Sequence, residues 1–262
     1  MASNYHVPSV ARAISILYFL KEPPHQKSTL AELCHALDIN KSTAYTILKT
    51  LQARGMVVYD EQSKRYSLGL SLIELAGAVS SQLTHVTLIK PALRRLVYEL
   101  GLTCSLSQRD TSDTLIIVEM MESETEVRIT FPIGRQLPLP SGAAGKCFLA
   151  YLSEGEVGTV LRRVRLNAYT SQSITDVENY KEELLQVRRD GFATSMGEYI
   201  AGVNGVASPI FGPDGQVSLA VTALGLSPAL PPEKLCQIGH RVREFALEMT
   251  KLLGGPLDSF PN

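Results

Sequence analysis

The chain has 262 residues, 45% of them hydrophobic and 19% charged, and a formal net charge of −1. That balance excludes an intrinsically disordered chain, and the length gives one large domain or two smaller ones, with a core that needs no disulfide support. The charge is uneven: through residue 70, eight Lys and Arg (Arg12, Lys21, Lys27, Lys41, Lys49, Arg54, Lys64, Arg65) oppose five Asp and Glu, leaving an acidic remainder. A mildly basic first segment on an acidic body fits a nucleic-acid contact confined to one end.

Cys34, Cys104, Cys147 and Cys236 are scattered without a C-x-x-C pair, which argues against a zinc knuckle and a secreted disulfide framework. Met1 to His6 lack a basic segment followed by an apolar one, and no run of about 18 apolar residues occurs. The expectation is a cytoplasmic protein without a membrane span, a metal or a cofactor.

In chain order, Ser9 is read as the N-cap of a first helix to about Leu20, with Val10, Ala13, Ile14, Leu17 and Leu20 at helical spacing, ended by Pro23-Pro24. Thr29-Leu30-Ala31-Glu32 reads as a capping box opening a second helix with Leu30, Leu33, Cys34 and Leu37 on one face. Asn40 caps a third helix that runs to about Arg54 and closes at Gly55.

The third helix carries the functional signal. Ala44, Ile47, Leu48 and Leu51 recur at i, i+3, i+4 and i+7 and face a core. Ser42, Thr46, Lys49 and Ala53 fall opposite, flanked by Thr43, Tyr45 and Thr50, with Lys41 at the start. Such a small, hydroxylated and basic face can approach a duplex and bond to base edges and phosphates. Met56–Tyr59 and Arg65–Leu68, separated by a polar turn, predict a hairpin whose Lys64 and Arg65 reach phosphate. Helix, helix, turn, helix and hairpin make a winged helix-turn-helix, which reads as a binder of double-stranded DNA or, alternatively, as a small protein-interaction domain.

A helix from Leu70 to about Leu83 carries the stripe Leu72, Ile73, Leu75, Ala76 and Val79, too isolated to be buried within a small winged domain; it is expected to pack on a partner copy or on the next domain. Ser80-Ser81-Gln82 reads as a hinge. The next helix presents Ile89, Ala92, Leu93, Leu96 and Leu100, with Pro91 expected in its first turn or at a kink, and Gly101 ends it. Beyond it, strands are predicted at Cys104–Gln108, Thr114–Met120, Glu126–Pro132, Phe192–Ser195, Val206–Phe211 and Val217–Leu224. Helices are predicted at Ala144–Leu152, Glu154–Arg162, Val177–Asp190 and Pro232–Leu253. The Pro213-Asp214-Gly215 turn joins the last two strands in a hairpin. Hairpin, helices and second hairpin in that order predict an α+β fold with an antiparallel sheet.

Several segments together resemble one family. Val10-Ala11-Arg12-Ala13, Lys41-Ser42-Thr43 and Arg65-Tyr66-Ser67-Leu68-Gly69 lie in the winged segment. Gly134-Arg135-Gln136-Leu137-Pro138-Leu139 leads to Gly145-Lys146-Cys147-Phe148-Leu149-Ala150 in the body. Arg188-Arg189-Asp190-Gly191-Phe192-Ala193 precedes Gly197-Glu198-Tyr199, Gly202 and Ala207-Ser208-Pro209-Ile210-Phe211 with Asp214-Gly215. In this order, over nearly the whole chain, they resemble the IclR family of bacterial transcriptional regulators. The resemblance implies a winged helix-turn-helix over residues 1–69, a helical linker over 70–86 and a GAF-like antiparallel α/β effector-binding domain over 87–262. It also implies dimers or tetramers on palindromic operators, and no catalysis. Thr46 stands where the family often has arginine, so the operator is not transferable from relatives.

The resemblance also implies a cup for a small organic acid or aromatic compound before the Gly145-Lys146 helix, lined by Ile129, Ala143, Ala144, Ser195, Val203, Gly205, Thr222 and Leu224. The helix start near Ala143 suits a carboxylate, Ser195 and Thr222 offer hydrogen bonds, and Ile129, Val203 and Leu224 form apolar walls, although Val203 and Leu224 also read as ordinary core. The apolar lining points to an aromatic or medium-sized organic acid as effector. Glu198 and Lys146 read as supports of the fold more than as ligand contacts. Gly145-Lys146 is no phosphate loop, because Pro140 and Cys147 occupy its glycine and hydroxyl positions. Cys147 reads as a buried thiol, with redox sensing as the alternative. The rival to a regulator is an enzyme acting on a small organic acid, fused to a DNA-binding head; no histidine or cysteine converges on the cup to serve it.

Overall fold

The computed structural model describes residues 7–110 and 113–260; Met1 to His6, read above for a leader, lie outside the described residues. The chain divides into two compact units, Met1–Thr84 and His85–Asn262.

The first unit packs α1 (Pro8–Lys21), α2 (Leu30–Leu37) and α3 (Lys41–Ala53) against the hairpin of β1 (Val57–Asp60) and β2 (Arg65–Leu68). Thr29 caps α2 in a reciprocal capping box with Glu32, and the Asn40 side chain accepts from Thr43 N–H to start α3. Ser9 is not the N-cap of α1: Val7 holds that place and Pro8 takes the first helical position, where a missing N–H costs nothing. The periodic stripe on α1 is also only partly buried. Ile16 and Leu20 enter the core, while Val10 and Ile14 stay exposed. That core joins them to Leu33, Ile39, Ala44, Ile47, Leu48, Leu51, Val57 and Tyr66. Gly69 is fixed by close approach, since a Cβ there would lie 2.0 Å from the Gly55 carbonyl oxygen. Helix α4 (Ser71–Gln82) buries no residue, and Ile73, Leu75 and Val79 are exposed, so the winged domain does not cover the stripe by itself.

Helix α5 (Thr84–Leu100) belongs to the second unit from His85 onward; Pro91 lies in its interior, past the first turn. Six antiparallel strands follow: β3 (Thr103–Arg109), β4 (Thr114–Met121), β5 (Gln136–Pro138), β6 (Ala193–Met196), β7 (Val203–Phe211) and β8 (Val217–Leu226). Their order in the sheet is β5-β4-β3-β8-β7-β6. Between β5 and β6 run α6 (Gly142–Ala150), α7 (Glu154–Arg163) and α8 (Val177–Asp190), and α9 (Pro232–Leu252) follows β8. Leu115, Ala193, Ala207 and Ala220 from the sheet pack with Cys147, Phe148, Val160, Tyr180 and Leu184 from these three helices. The alternate residues Val206, Ser208 and Ile210 are fully buried too, which demands a second cover; α9, touching β6, β7 and β8, supplies it.

One predicted strand is absent. Glu126–Pro132 is irregular, and the edge strand forms later, at Gln136–Pro138. The segment is tied by side chains: Glu122 accepts from Arg128 Nε at 2.5 Å and from Thr130 Oγ1 at 2.7 Å. Val127 is largely exposed, and Pro132 has no N–H to offer a ladder.

Candidate functional site

On α3 the amphipathic division is as read. Ala44, Ile47, Leu48 and Leu51 are buried, Lys41, Ser42, Tyr45, Thr46 and Lys49 are exposed, and Thr43 is half-buried. The exposed hydroxyls of Thr46 and Thr50 donate back to the carbonyls of Ser42 and Thr46, both at 3.0 Å, and the Ser42 hydroxyl donates to Asn40 Oδ1. The Lys49 ammonium lies 5.6 Å from the centre of the Tyr45 ring. The face is thus small-stepped, cationic at Lys41 and Lys49, and carries one exposed aromatic ring.

The wing residues part company. Lys64, in left-handed backbone (φ 56°), stands exposed at the hairpin turn beside Glu61 at 3.1 Å. Arg65 donates to the Lys27 carbonyl oxygen at 2.7 Å and to Glu32 Oε2 at 3.0 Å. Its guanidinium ties the wing to the start of α2, a task that its sequence position did not reveal.

In the second unit, register brings distant residues to one place. Ser195 faces Gly205, Gly205 faces Leu224, and Thr222 faces Ser105 on β3, all on the sheet face that α6 covers. Seven of the eight cup residues, Ala143, Ala144, Ser195, Val203, Gly205, Thr222 and Leu224, line one cavity of about 70 Å³. Ile129 does not; it belongs to the irregular segment, and Ile117, Phe131 and Leu137 provide that apolar wall. Sequence reasoning also missed Ser105, Tyr199, Ile200 and Asn204. Ser105 was legible only as part of a strand, because its partner Thr222 lies over a hundred residues away.

The cavity ends on the first turn of α6. Gly142 has a left-handed φ of 62°, and Gly145 permits close packing, since a Cβ there would lie 2.0 Å from the Leu139 carbonyl oxygen. The N-cap Ser141 makes no side-chain capping bond, the first-turn N–H groups of a helix have no acceptor within it, and Ser141, Gly142, Ala143 and Ala144 line the chamber. The Thr222 hydroxyl is buried with no hydrogen-bond partner, whereas Asn204 is committed, its Nδ2 donating to the Leu230 carbonyl at 2.9 Å. Among the described residues no charged side chain lines this chamber.

Behind the chamber, Lys146 is buried on α6 and donates to Glu183 at 2.9 Å, Glu198 at 2.8 Å and the Thr194 carbonyl at 3.0 Å. All three ammonium protons therefore have acceptors, and the lysine holds α6, α8, β6 and the loop after β6 together. Neither lysine nor Glu198 lines the inner chamber. Burial raises the Cys104 thiol to about 12 and the Cys147 thiol higher still, so neither is poised as a thiolate. Among the described residues no group of three or more His, Cys, Asp or Glu is placed to hold a metal, and no single helix is long and apolar enough to cross a membrane.

A winged helix with an exposed polar face and an α/β unit holding an uncharged chamber define a DNA-binding regulator with a sensing domain. Residues 9–61 match the IclR helix-turn-helix domain, and residues 78–251 match the bacterial transcriptional regulator IclR C-terminal domain. The chain belongs to the IclR family of transcriptional regulators; it is a regulator and not an enzyme.

It is 28% identical to the HTH-type transcriptional repressor AllR of Escherichia coli K12 over 246 residues, covering 94% of this chain and 90% of AllR. To the transcriptional repressor IclR of the same strain it is 28% identical over 250 residues, covering 95% and 91%. The crystal structure of an IclR transcriptional regulator from Alicyclobacillus acidocaldarius superposes with a TM-score of 0.84 at 36% identity, covering 96% of this chain and all of that one. An IclR homologue from Microbacterium hydrocarbonoxydans, complexed with 4-hydroxybenzoate, shares the fold with a TM-score of 0.77 at 20% identity, covering 93% and 99%.

Proposed function

We propose that this regulator is a cytoplasmic repressor that binds a palindromic operator as a homodimer or homotetramer and is controlled by a small organic monocarboxylic acid, an aromatic one by preference. The observation that carries the effector reading is the partnerless buried hydroxyl of Thr222, set in an apolar chamber that ends on the open first turn of α6. A carboxylate accepts from the N–H groups of that turn, Ser195 and Thr222 bond to polar groups of the guest, and Val203 and Leu224 hold its apolar body. Without a charged lining, a second anionic group finds no counter-charge. The 4-hydroxybenzoate bound by a family member of the same fold is a compound of this class.

DNA is bound by the exposed face of α3 in the major groove: Ser42, Thr43, Tyr45 and Thr46 near base edges, Lys41 and Lys49 on phosphates, Lys64 on phosphate from the wing, with Arg65 beside it holding the wing in place. Residues 1–69 form the DNA-binding domain, 70–86 the linker and 87–262 the effector domain. Assembly is supported by the exposed apolar residues of the first unit, Val10, Ile14 and Tyr18 on α1 and Ile73, Leu75 and Val79 on α4, which a monomer would leave in water. Effector occupancy changes operator affinity by a coupling of about 1–3 kcal/mol.

The test is a pair of titrations on the full chain. Thermal melting with 4-hydroxybenzoate and related monocarboxylates should show a rise in Tm, and gel shifts on the DNA upstream of its own gene should show salt-sensitive binding altered by the same acids. A protein that ignores both its upstream DNA at low salt and every acid tried would sink the reading.

A further inference from the structure

Two chambers share one wall. The effector chamber of about 70 Å³ and a neighbouring one of about 20 Å³ both count Ser141, Gly142 and Tyr199 among their lining residues. Ser141 and Gly142 are the cap and first residue of α6, and little of either projects beyond the backbone. Tyr199 is the one bulky side chain in the shared wall.

Its ring is held from the outer side. The edge-on ring of Tyr169 lies 4.8 Å away at 68°. The backbone just before it is pinned: the Glu198 carbonyl accepts from Ser173 Oγ at 2.6 Å, the Gly197 carbonyl accepts from Thr170 Oγ1 at 2.7 Å, and the Glu198 carboxylate accepts from buried Lys146. Gly197 and Gly202 bracket the loop with left-handed φ of 67° and 75°. The loop is thus anchored by residues other than Tyr199, which leaves its ring as a partition that can be changed without releasing the backbone that carries it. The two sides differ in character. Uncharged strand residues wall the inner chamber, Ile117, Val203 and Leu224 beside Ser195 and Thr222, while the charged Arg165 and Glu198 stand around the outer one, the latter held by Lys146.

We infer that Tyr199 is the specificity-determining residue that sets the length of acid this regulator accepts, and that the chamber behind it is a second subsite, closed off by the ring: a short acid rests its carboxylate on the first turn of α6, whereas a longer one, its aromatic ring kept in the inner chamber, has to carry the carboxylate past Ser141 and Gly142 toward Arg165. The inference rests on the reading of the inner chamber as the effector site. A single ring with a short stem ends against Tyr199. A longer acid has to displace that ring from its contact with Tyr169, and a small residue at 199 removes the obstacle.

The experiment compares the full-length wild type with Tyr199→Ala, Tyr199→Leu and Tyr199→Phe by thermal melting and calorimetric titration against benzoate, phenylacetate, 3-phenylpropionate and 4-phenylbutyrate. In the wild type the rise in Tm should vanish along the series. In Tyr199→Ala it should persist to at least one longer acid, with that acid's Kd tightened roughly tenfold or more. Tyr199→Leu should be intermediate, and Tyr199→Phe, which keeps the ring, should retain the wild-type limit. Should Tyr199→Ala fail to fold, Tyr199→Leu carries the comparison. An unchanged length limit in a folded small-residue variant overturns the inference, as does a wild type that takes 4-phenylbutyrate as well as benzoate. So does a crystal structure of a small-residue variant in which the two chambers stay separate. No response to any of the four acids in wild type and variants alike overturns the effector reading of the inner chamber for this class, and this inference with it.

Discussion

The starts of α3 and α6 show how one local motif serves opposite ends. Asn40 closes the start of α3 with its own side chain, accepting from Thr43 N–H, and the helix beyond it keeps its polar face in solvent. Ser141 occupies the same position on α6 but makes no such bond, and every residue from Ala143 to Ala150 is buried. A capped start on an exposed helix is self-sufficient, so its side chains are left to do the recognising. An uncapped start that lines a chamber leaves its N–H groups for a guest.

The support behind α6 is the most costly place to disturb this contrast. Lys146→Ala should destabilise the second unit by about 3–5 kcal/mol, because Glu198 and Glu183 lose their shared counter-charge, Glu198 while largely buried. Urea unfolding measures it, and a change below about 1 kcal/mol would show that the triad contributes little.

Thr222→Val separates stability from function. Removing a buried hydroxyl that bonds to nothing should raise stability by about 1 kcal/mol, while acid binding weakens roughly fivefold for the lost hydrogen bond. Melting and calorimetry on the same sample check both signs; a variant that is destabilised and binds as before contradicts the proposed role.

The capping contrast is testable directly. Asn40→Ala should cost about 1 kcal/mol, and Ser141→Ala should stay within about 0.5 kcal/mol of wild type. Equal losses would erase the distinction between the two helix starts. Smallest is the change at Lys49: Lys49→Ala should leave the melting temperature unchanged, weaken operator binding evenly across sequences and lower the slope of log K against log salt by about 1. An unaltered slope would take Lys49 off the phosphates.

The recognition helix was legible from its residues because everything that defines it is local. Thirteen consecutive positions from Lys41 to Ala53 carry a period, a cap and a stop, so burial on one side and exposure on the other follow from helical geometry alone. The same holds for the capping box at Thr29 and the hairpins around residues 60–64 and 212–216. Two local readings failed where a competitor was close at hand. Pro8 displaced Ser9 at the start of α1, and the side-chain ties of Glu122 turned Glu126–Pro132 away from the sheet edge, taking Ile129 with it.

The chamber was a different matter. Family resemblance pointed to its general place, but its composition depends on which strands become neighbours. Periodicity, caps and turn signals determined a winged helical segment with one exposed polar helix face and an antiparallel body. Only the tertiary structure decided that Ser105 and Tyr199 join Thr222 around one chamber, that Arg65 braces α2, and that Lys146 meets two glutamates in the interior. Those decisions come from strand register and helix docking, which set distances between residues up to a hundred or more positions apart, and no pattern along the chain encodes such distances.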